Sequence, residues 1–351
     1  MRKNRLIIIL TIVLAVIAAL LAITGSKGTI KPALKDFAVD DTSNVVKIFM
    51  TDKNNTNILL ERQPQGFWEL NGRYRAQQES VDLLLKTMLN LAVMQPVSEA
   101  AHNTVIKVMA SSAVKVEIYQ KVFRINLFKH IRLFPHVKRT KTYYVGYVTQ
   151  NNIGTYMLME HSSTPFIVYI PGFRGFVQSR YSTIEKDWRD HAIFSDRIND
   201  IQSVTVQFVE HPERSYKVVN HDDVHFALVS LTGNKEIPDF DTMKVVNFLV
   251  SFANIRCEAF LNDLPQEERD TIIAKYPFHI ITLTKKSGEQ VVVKTFHKPL
   301  LPGQFDSQGR PLKMDLDRFY ALINEDKDFV LIQFFVFDKI TRPVTYFLKP
   351  S

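Results

Sequence analysis

Hydrophobic positions along this chain fall into three patterns: one unbroken apolar run near the start, short stretches alternating with a period of two, and stretches recurring with a period near 3.6. The unbroken run, residues 6–24 (LIIILTIVLAVIAALLAIT), holds nineteen residues without a charge and follows the basic cluster Arg2, Lys3 and Arg5. As a helix rising about 1.5 Å per residue it would reach roughly 28 Å, close to the hydrocarbon thickness of a bilayer. The pattern predicts a single transmembrane anchor over 6–24. Residues 1–5 would be its cytoplasmic flank, with the bulk of the chain on the far side of the membrane. The run exceeds the usual apolar core of a cleaved signal peptide, and its best cleavage site, Thr24-Gly25-Ser26, is only passable. A retained signal anchor in the inner (cytoplasmic) membrane of a bacterial envelope, carrying a periplasmic domain, is the expectation.

Residues 25–36 are small, polar and proline-bearing, which suits a linker. Beyond them the alternating and helical stretches occur in the same order twice. The first set runs through an alternating strand at 45–50, a turn at 52–55, strands at 57–62 and 67–70, then a helix with Val81, Leu84, Leu85, Met88, Leu91 and Ala92 on one face. The second runs through strands at 204–209, 215–219 and 224–228, then a helix with Met243, Val246, Val250 and Ala253 on its apolar face and Asp241 or Thr242 as cap. Val46 matches Val204, and Trp68 matches Phe226, both at an offset of 158 residues. Each set ends in further strands, and 316–324 reads as helical. The expected fold class is α+β: an N-terminal transmembrane helix followed by two tandem repeat units, at 37–185 and 195–351. Each unit would be a mainly antiparallel sheet with a covering helix.

Composition narrows the setting. Cys257 is the one cysteine, so no intrachain disulfide staples the chain, and its apolar surroundings predict a buried, inert thiol. A net charge of +8 is a mild basic bias that suits a neighbourhood of anionic lipid without pointing to nucleic acid.

The strand end Phe67-Trp68-Glu69-Leu70, the polar linker and the helix at 80–92 resemble bacterial domain-of-unknown-function family 4340. The resemblance covers most of 37–350, through structural rather than catalytic motifs. It implies a single-anchor envelope protein built from such repeats, often associated with ABC-transporter components of the gliding-motility type, and it carries no catalytic residues to transfer.

Candidate chemistry is sparse. His221-Asp222-Asp223-Val224-His225 has the density of a metal site, but a turn followed by a strand sets the two histidines about 13 Å apart along the chain. No metal or other cofactor is expected. Nucleophile-elbow, phosphate-loop, zincin and dinucleotide patterns are absent from the sequence. The glycine-dense stretch 171–176 reads as an aromatic bend, and Trp188 as packing for a hinge between the two units. The segment 121–141 (KVFRINLFKHIRLFPHVKRTK) stands apart, with Lys121, Arg124, Lys129, Arg132, Lys138, Arg139 and Lys141, no acid, and interleaved Phe123, Phe128 and Phe134. Such a hairpin would rest on anionic headgroups, an acidic protein partner or an anionic polymer. A plainer reading keeps it as an ordinary strand pair, basic outside, with its phenylalanines in the core. Together these features predict a membrane-anchored extracytoplasmic binding or scaffold protein, an accessory subunit of an envelope complex such as an ABC-type transporter. The alternative is an envelope hydrolase acting on cell-wall or surface glycan, its acids supplied by turns.

Overall fold

A computed structural model describes residues 11–17, 32–127, 131–300, 303–305, 308–324 and 328–349. The chain divides into two compact units between Asp190 and His191.

In the first unit nine strands form one sheet: β1 (Val45–Thr51), β2 (Asn57–Arg62), β3 (Trp68–Leu70), β4 (Tyr74–Arg75), β5 (Ala92–Pro96), β6 (Val114–Leu127), β7 (Ile131–Val148), β8 (Thr155–Met159) and β9 (Phe166–Tyr169). Their spatial order is β4-β3-β2-β1-β6-β7-β8-β9-β5, with every pairing antiparallel. Two helices, α1 (Gln78–Asn90) and α2 (Glu99–Ser112), flank β5 in the chain. The inward positions of β1 and β2, namely Val45, Ile48, Met50, Ile58 and Leu60, are fully buried. Against them α1 sets Val81, Leu84, Leu85 and Met88, the i, i+3, i+4, i+7 stripe of a core-facing helix. Burying each such side chain contributes about 1.5–3 kcal/mol.

In the second unit a short pair, β10 (Ala192–Phe194) with β15 (Ile255–Arg256), stands apart from the main sheet. That sheet is built from β11 (Ile201–Phe208), β12 (Tyr216–Asn220), β13 (Phe226–Ser230), β14 (Lys235–Glu236), β16 (Ala259–Phe260), β17 (His279–Lys285), β18 (Gln290–Pro299), β19 (Met314–Ile323) and β20 (Asp328–Gln333). Its order is β14-β13-β12-β11-β17-β18-β19-β20-β16. With β11–β14 standing for β1–β4, β16 for β5 and β17–β20 for β6–β9, this is the order of the first sheet. The helices α3 (Thr242–Val250) and α4 (Gln266–Ile273) occupy the same two connections.

The correspondence extends to irregularities. β1 and β11 each carry a bulge on the side facing β6 and β17 respectively, between Val45 and Lys47 and between Ile201 and Ser203. Ile48, paired with Leu60 and Ile118, therefore matches Val204, paired with Val218 and Leu283. That is two residues from the expected partner Val46, a shift that leaves the same side of the pleat facing the core. In α3, Val245, Phe248 and Leu249, continued by Phe252, reproduce the spacing of the buried stripe of α1. Each unit is closed by a returning segment: the Gln77 amide before α1 donates to the Trp188 carbonyl (2.7 Å), and the Asp241 amide before α3 donates to the Phe347 carbonyl (2.8 Å).

The expected α+β class is corrected by this architecture. The protein is mostly β, dominated by two large sheets with few helices, because most connections are hairpins and the helices that pack on each sheet are short. The stretch 316–324, expected to be helical, lies largely in β19, where Phe319, Ala321 and Ile323 point inward with a period of two. The last strand of the second set, β20, ends at Gln333 and gives way to a helical turn over Phe334–Phe337.

The anchor is corrected as well. Of 6–24 only 11–17 fall among the described residues, and they are helical. Seven residues rise about 10 Å, a third of a bilayer core, and among the described residues no helix is long and apolar enough to cross a membrane. The single-pass signal anchor and the inner-membrane location inferred from it are set aside on that finding.

Candidate functional site: a two-stranded basic arm

One difference between the units is large. β17 and β18 span 7 and 10 residues, whereas β6 and β7 span 14 and 18. The β17–β18 ladder ends at Thr284 and Gln290, level with Tyr119 by the correspondence above. In the first unit the ladder continues, from Gln120 opposite Lys138 to Leu127 opposite Ile131. β1 pairs with β6 only as far as Gln120, and β8 pairs with β7 only from Tyr143 onward. Residues 121–127 and 131–137 therefore form a ribbon of two strands that leaves the sheet and runs about 23 Å at roughly 3.3 Å per residue.

A free two-stranded ribbon is only marginally stable in water, so its base matters. There a bulge between Ile118 and Tyr119 adds Thr140 to β7, and the Thr140 hydroxyl donates to the Gln120 side chain at 2.7 Å. Glu117, nearly buried on β6, accepts from Lys115 Nζ (2.6 Å), the Tyr119 hydroxyl (2.7 Å) and an Arg139 guanidinium nitrogen (3.2 Å). Arg139 also reaches Glu160 at 3.5 Å. Burial opposes ionisation of Glu117, but the hydrogen bonds from Lys115 and Tyr119 and the nearby cations outweigh it and hold the carboxyl below its ordinary pKa. A group with a lowered folded-state pKa stabilises above its unfolded value, near 4.3, and that contribution is lost as pH falls through the folded value. Glu117→Gln is expected to cost about 1 kcal/mol at pH 7, and the gap from wild type should narrow progressively as pH falls below the unfolded value of about 4.3, read from denaturant melts across that range.

The seven cations of 121–141 do not act alike. Arg139 is committed to Glu117 and Glu160, and Lys141 to Asp36, by its carboxylate at 2.7 Å and its carbonyl at 2.9 Å. Lys121, Arg124 and Lys138 are exposed and form no ion pair among the described residues. Arg132 is placed by the backbone opposite Asn126, and Lys129 lies outside the described residues.

Cross-strand partners share a face, so the register sorts the ribbon into two sides. Phe123 opposite Pro135 and Ile125 opposite Leu133 make one side apolar, with Val137 opposite Lys121 placing a single cation at its base. Arg124, the Gln120–Lys138 pair and the Val122–His136 pair occupy the other. Ile125, Leu133 and Val137 are exposed, Val137 by 57%, and Phe134, at φ 58°, is 64% exposed. Phe123 and Phe134 are absent from the first unit's core, contrary to the plainer reading of this segment. The apolar side was missed in the sequence, although the alternation of Phe123 and Ile125 on one strand with Leu133, Pro135 and Val137 on the other carries it.

Trp188 belongs to the first unit's core. It is 3% exposed, and its indole N–H donates to the Ser182 carbonyl at 2.9 Å. The His221–His225 stretch is the β12–β13 turn. There His225 Nδ1 meets Asp222 Oδ2 at 2.7 Å, and that hydrogen bond brings the Asp222 carboxyl to about 2. Asp223 pairs with Lys286 at 2.8 Å. Among the described residues no group of three or more His, Cys, Asp or Glu side chains is placed to hold a metal ion. Cys257 is buried.

Sequence reading also missed a surface cavity of about 720 Å³ in the first unit, lined by Met94, Ile153, Tyr169, Phe173 and Arg174 among others and by no carboxylate. A second cavity of about 490 Å³, beside Phe335, Lys339 and Arg342, has Asp338 as its one acid. A third, of about 220 Å³ beside Met109 and Tyr144, has none.

No family model, no curated protein and no solved structure matches the chain.

Proposed function

We propose that this chain is a binding protein, an accessory or scaffolding subunit that holds a partner of a larger assembly through the arm. The observation that carries the reading is the ribbon itself: an exposed apolar side backed by cations, added to one of two otherwise matching sheets. Contiguous exposed apolar surface is uncommon on an isolated protein, and where solvated charge adjoins it the two together mark a contact surface. The family resemblance makes an envelope complex such as an ABC-type transporter the assembly to examine first. A hydrolase would need two carboxylates facing each other across a cleft, and the linings of the three cavities above hold at most one.

The test is recovery of the full-length tagged protein from its native cells in mild detergent, with partners identified by mass spectrometry. A partner recovered in stoichiometric amount is the expected result, and recovery of the chain alone would contradict the reading.

A further inference from the structure

We infer that the arm takes its partner by strand addition: an extended segment of alternating acidic and apolar residues pairs with the outer edge of β6 over residues 121–127. This rests on the arm being the binding element and adds the chemistry of what it holds.

The two edges of the ribbon differ. On the β1 side, β6 is paired only up to Gln120 opposite Val45, and beyond that no described strand meets its outward amides and carbonyls. The residues along this edge, KVFRINL, include neither proline nor glycine. The β7 edge carries Pro135, which has no N–H to offer, next to Phe134 in the left-handed region at φ 58°. Proline and irregular backbone keep an edge from pairing, whereas an unblocked edge is a template for another strand.

The two sides of the ribbon set the pattern of the guest. A strand laid beside β6 continues both sides, so alternate guest residues fall beside Phe123 and Ile125, and those between them beside Arg124. Apolar residues suit the first set beyond Lys121, which accepts a carboxylate at the base of the arm, and carboxylates suit the second, with Lys138 on the same side as Arg124. Charge selects the same guest. Between Glu117 and Glu160 the sequence has seven Lys or Arg and no Asp or Glu, so the arm of a second copy would bring like charge to like. The free edge is about seven residues long, room for a segment of that length.

The probe is a fluorescein-labelled octapeptide of alternating Glu and Val, blocked at both ends, titrated with the full chain by anisotropy at low salt and pH 7. The control is its isomer with four Glu followed by four Val. The alternating peptide is expected to bind at least tenfold more tightly. N-methylation of one alternate set of its amides should abolish binding, and methylation of the other set should leave it, since only every second amide faces β6. Equal affinity for the two isomers, no binding of either, or indifference to both methylations would each overturn strand addition. If the peptide fails while the native partner still depends on the arm, strand addition falls and the binding reading stands. If the partner is retained without the arm, the binding reading itself fails.

Discussion

Trp188→Ala is expected to destabilise the protein by about 3–5 kcal/mol, and Phe347→Ala by a similar amount, because the two residues do the same work in the two sheets. Each is almost fully buried, and each offers its carbonyl to the amide that precedes the helix of its unit. Truncation leaves a cavity the size of an aromatic ring, and Trp188 also loses the hydrogen bond from its indole to Ser182. The main-chain bonds survive the substitution, so the loss measures packing. Trp188→Phe keeps most of that packing and should lose well under half as much. Denaturant unfolding followed by circular dichroism gives the numbers. A loss below 1 kcal/mol at either site would show that the returning segments do not close the units.

Reversing Lys121, Arg124 and Lys138 to Glu is expected to weaken the partner complex about 100-fold, a change of roughly 2.7 kcal/mol. Folding stability should stay within about 0.5 kcal/mol of wild type, because all three side chains are exposed and without ion pairs among the described residues. Arg139 and Lys141 are left intact in this variant. Reversing Arg139 would place a third negative charge beside Glu117 and Glu160, and any loss of binding would then be confounded with loosening of the ribbon base. The effect should shrink between 50 and 300 mM salt, since exposed charges are screened over about 10 Å at 0.1 M. Equal retention of the partner by the reversed arm would remove these cations from the interface.

What the sequence discloses follows from how local each feature is. The stripe Val81, Leu84, Leu85 and Met88 could be read directly because helical period and burial coincide within one element. The match of Trp68 with Phe226 could be read because both strands follow hairpins that differ little in length. The stretch 316–324 was misread because a short apolar run such as Phe319-Tyr320-Ala321-Leu322-Ile323 satisfies both periods, and only its place between β18 and β20 makes it a strand. The apolar run at 6–24 predicted a span that the described residues do not contain.

The arm was half legible. Its charge is a property of composition. The segregation of Phe123, Ile125, Leu133 and Val137 from Arg124 and Lys138 depends on a cross-strand register set by the bulge at Ile118 and Tyr119. For the same reason nothing in the sequence marked Arg139 and Lys141 as cations already committed to Glu117, Glu160 and Asp36. Those pairings join residues up to 105 positions apart.

The most direct test is to shorten the arm. Replacing residues 121–137 with the Lys-Ser-Gly-Glu turn that joins β17 to β18 would give the first unit a hairpin like that of the second. Partner retention by this chain, measured by quantitative mass spectrometry against wild type in the same cells, is the quantity of interest. The account predicts a protein with the wild-type circular dichroism spectrum that no longer retains the partner. A shortened chain that still recovers the partner in stoichiometric amount would contradict it.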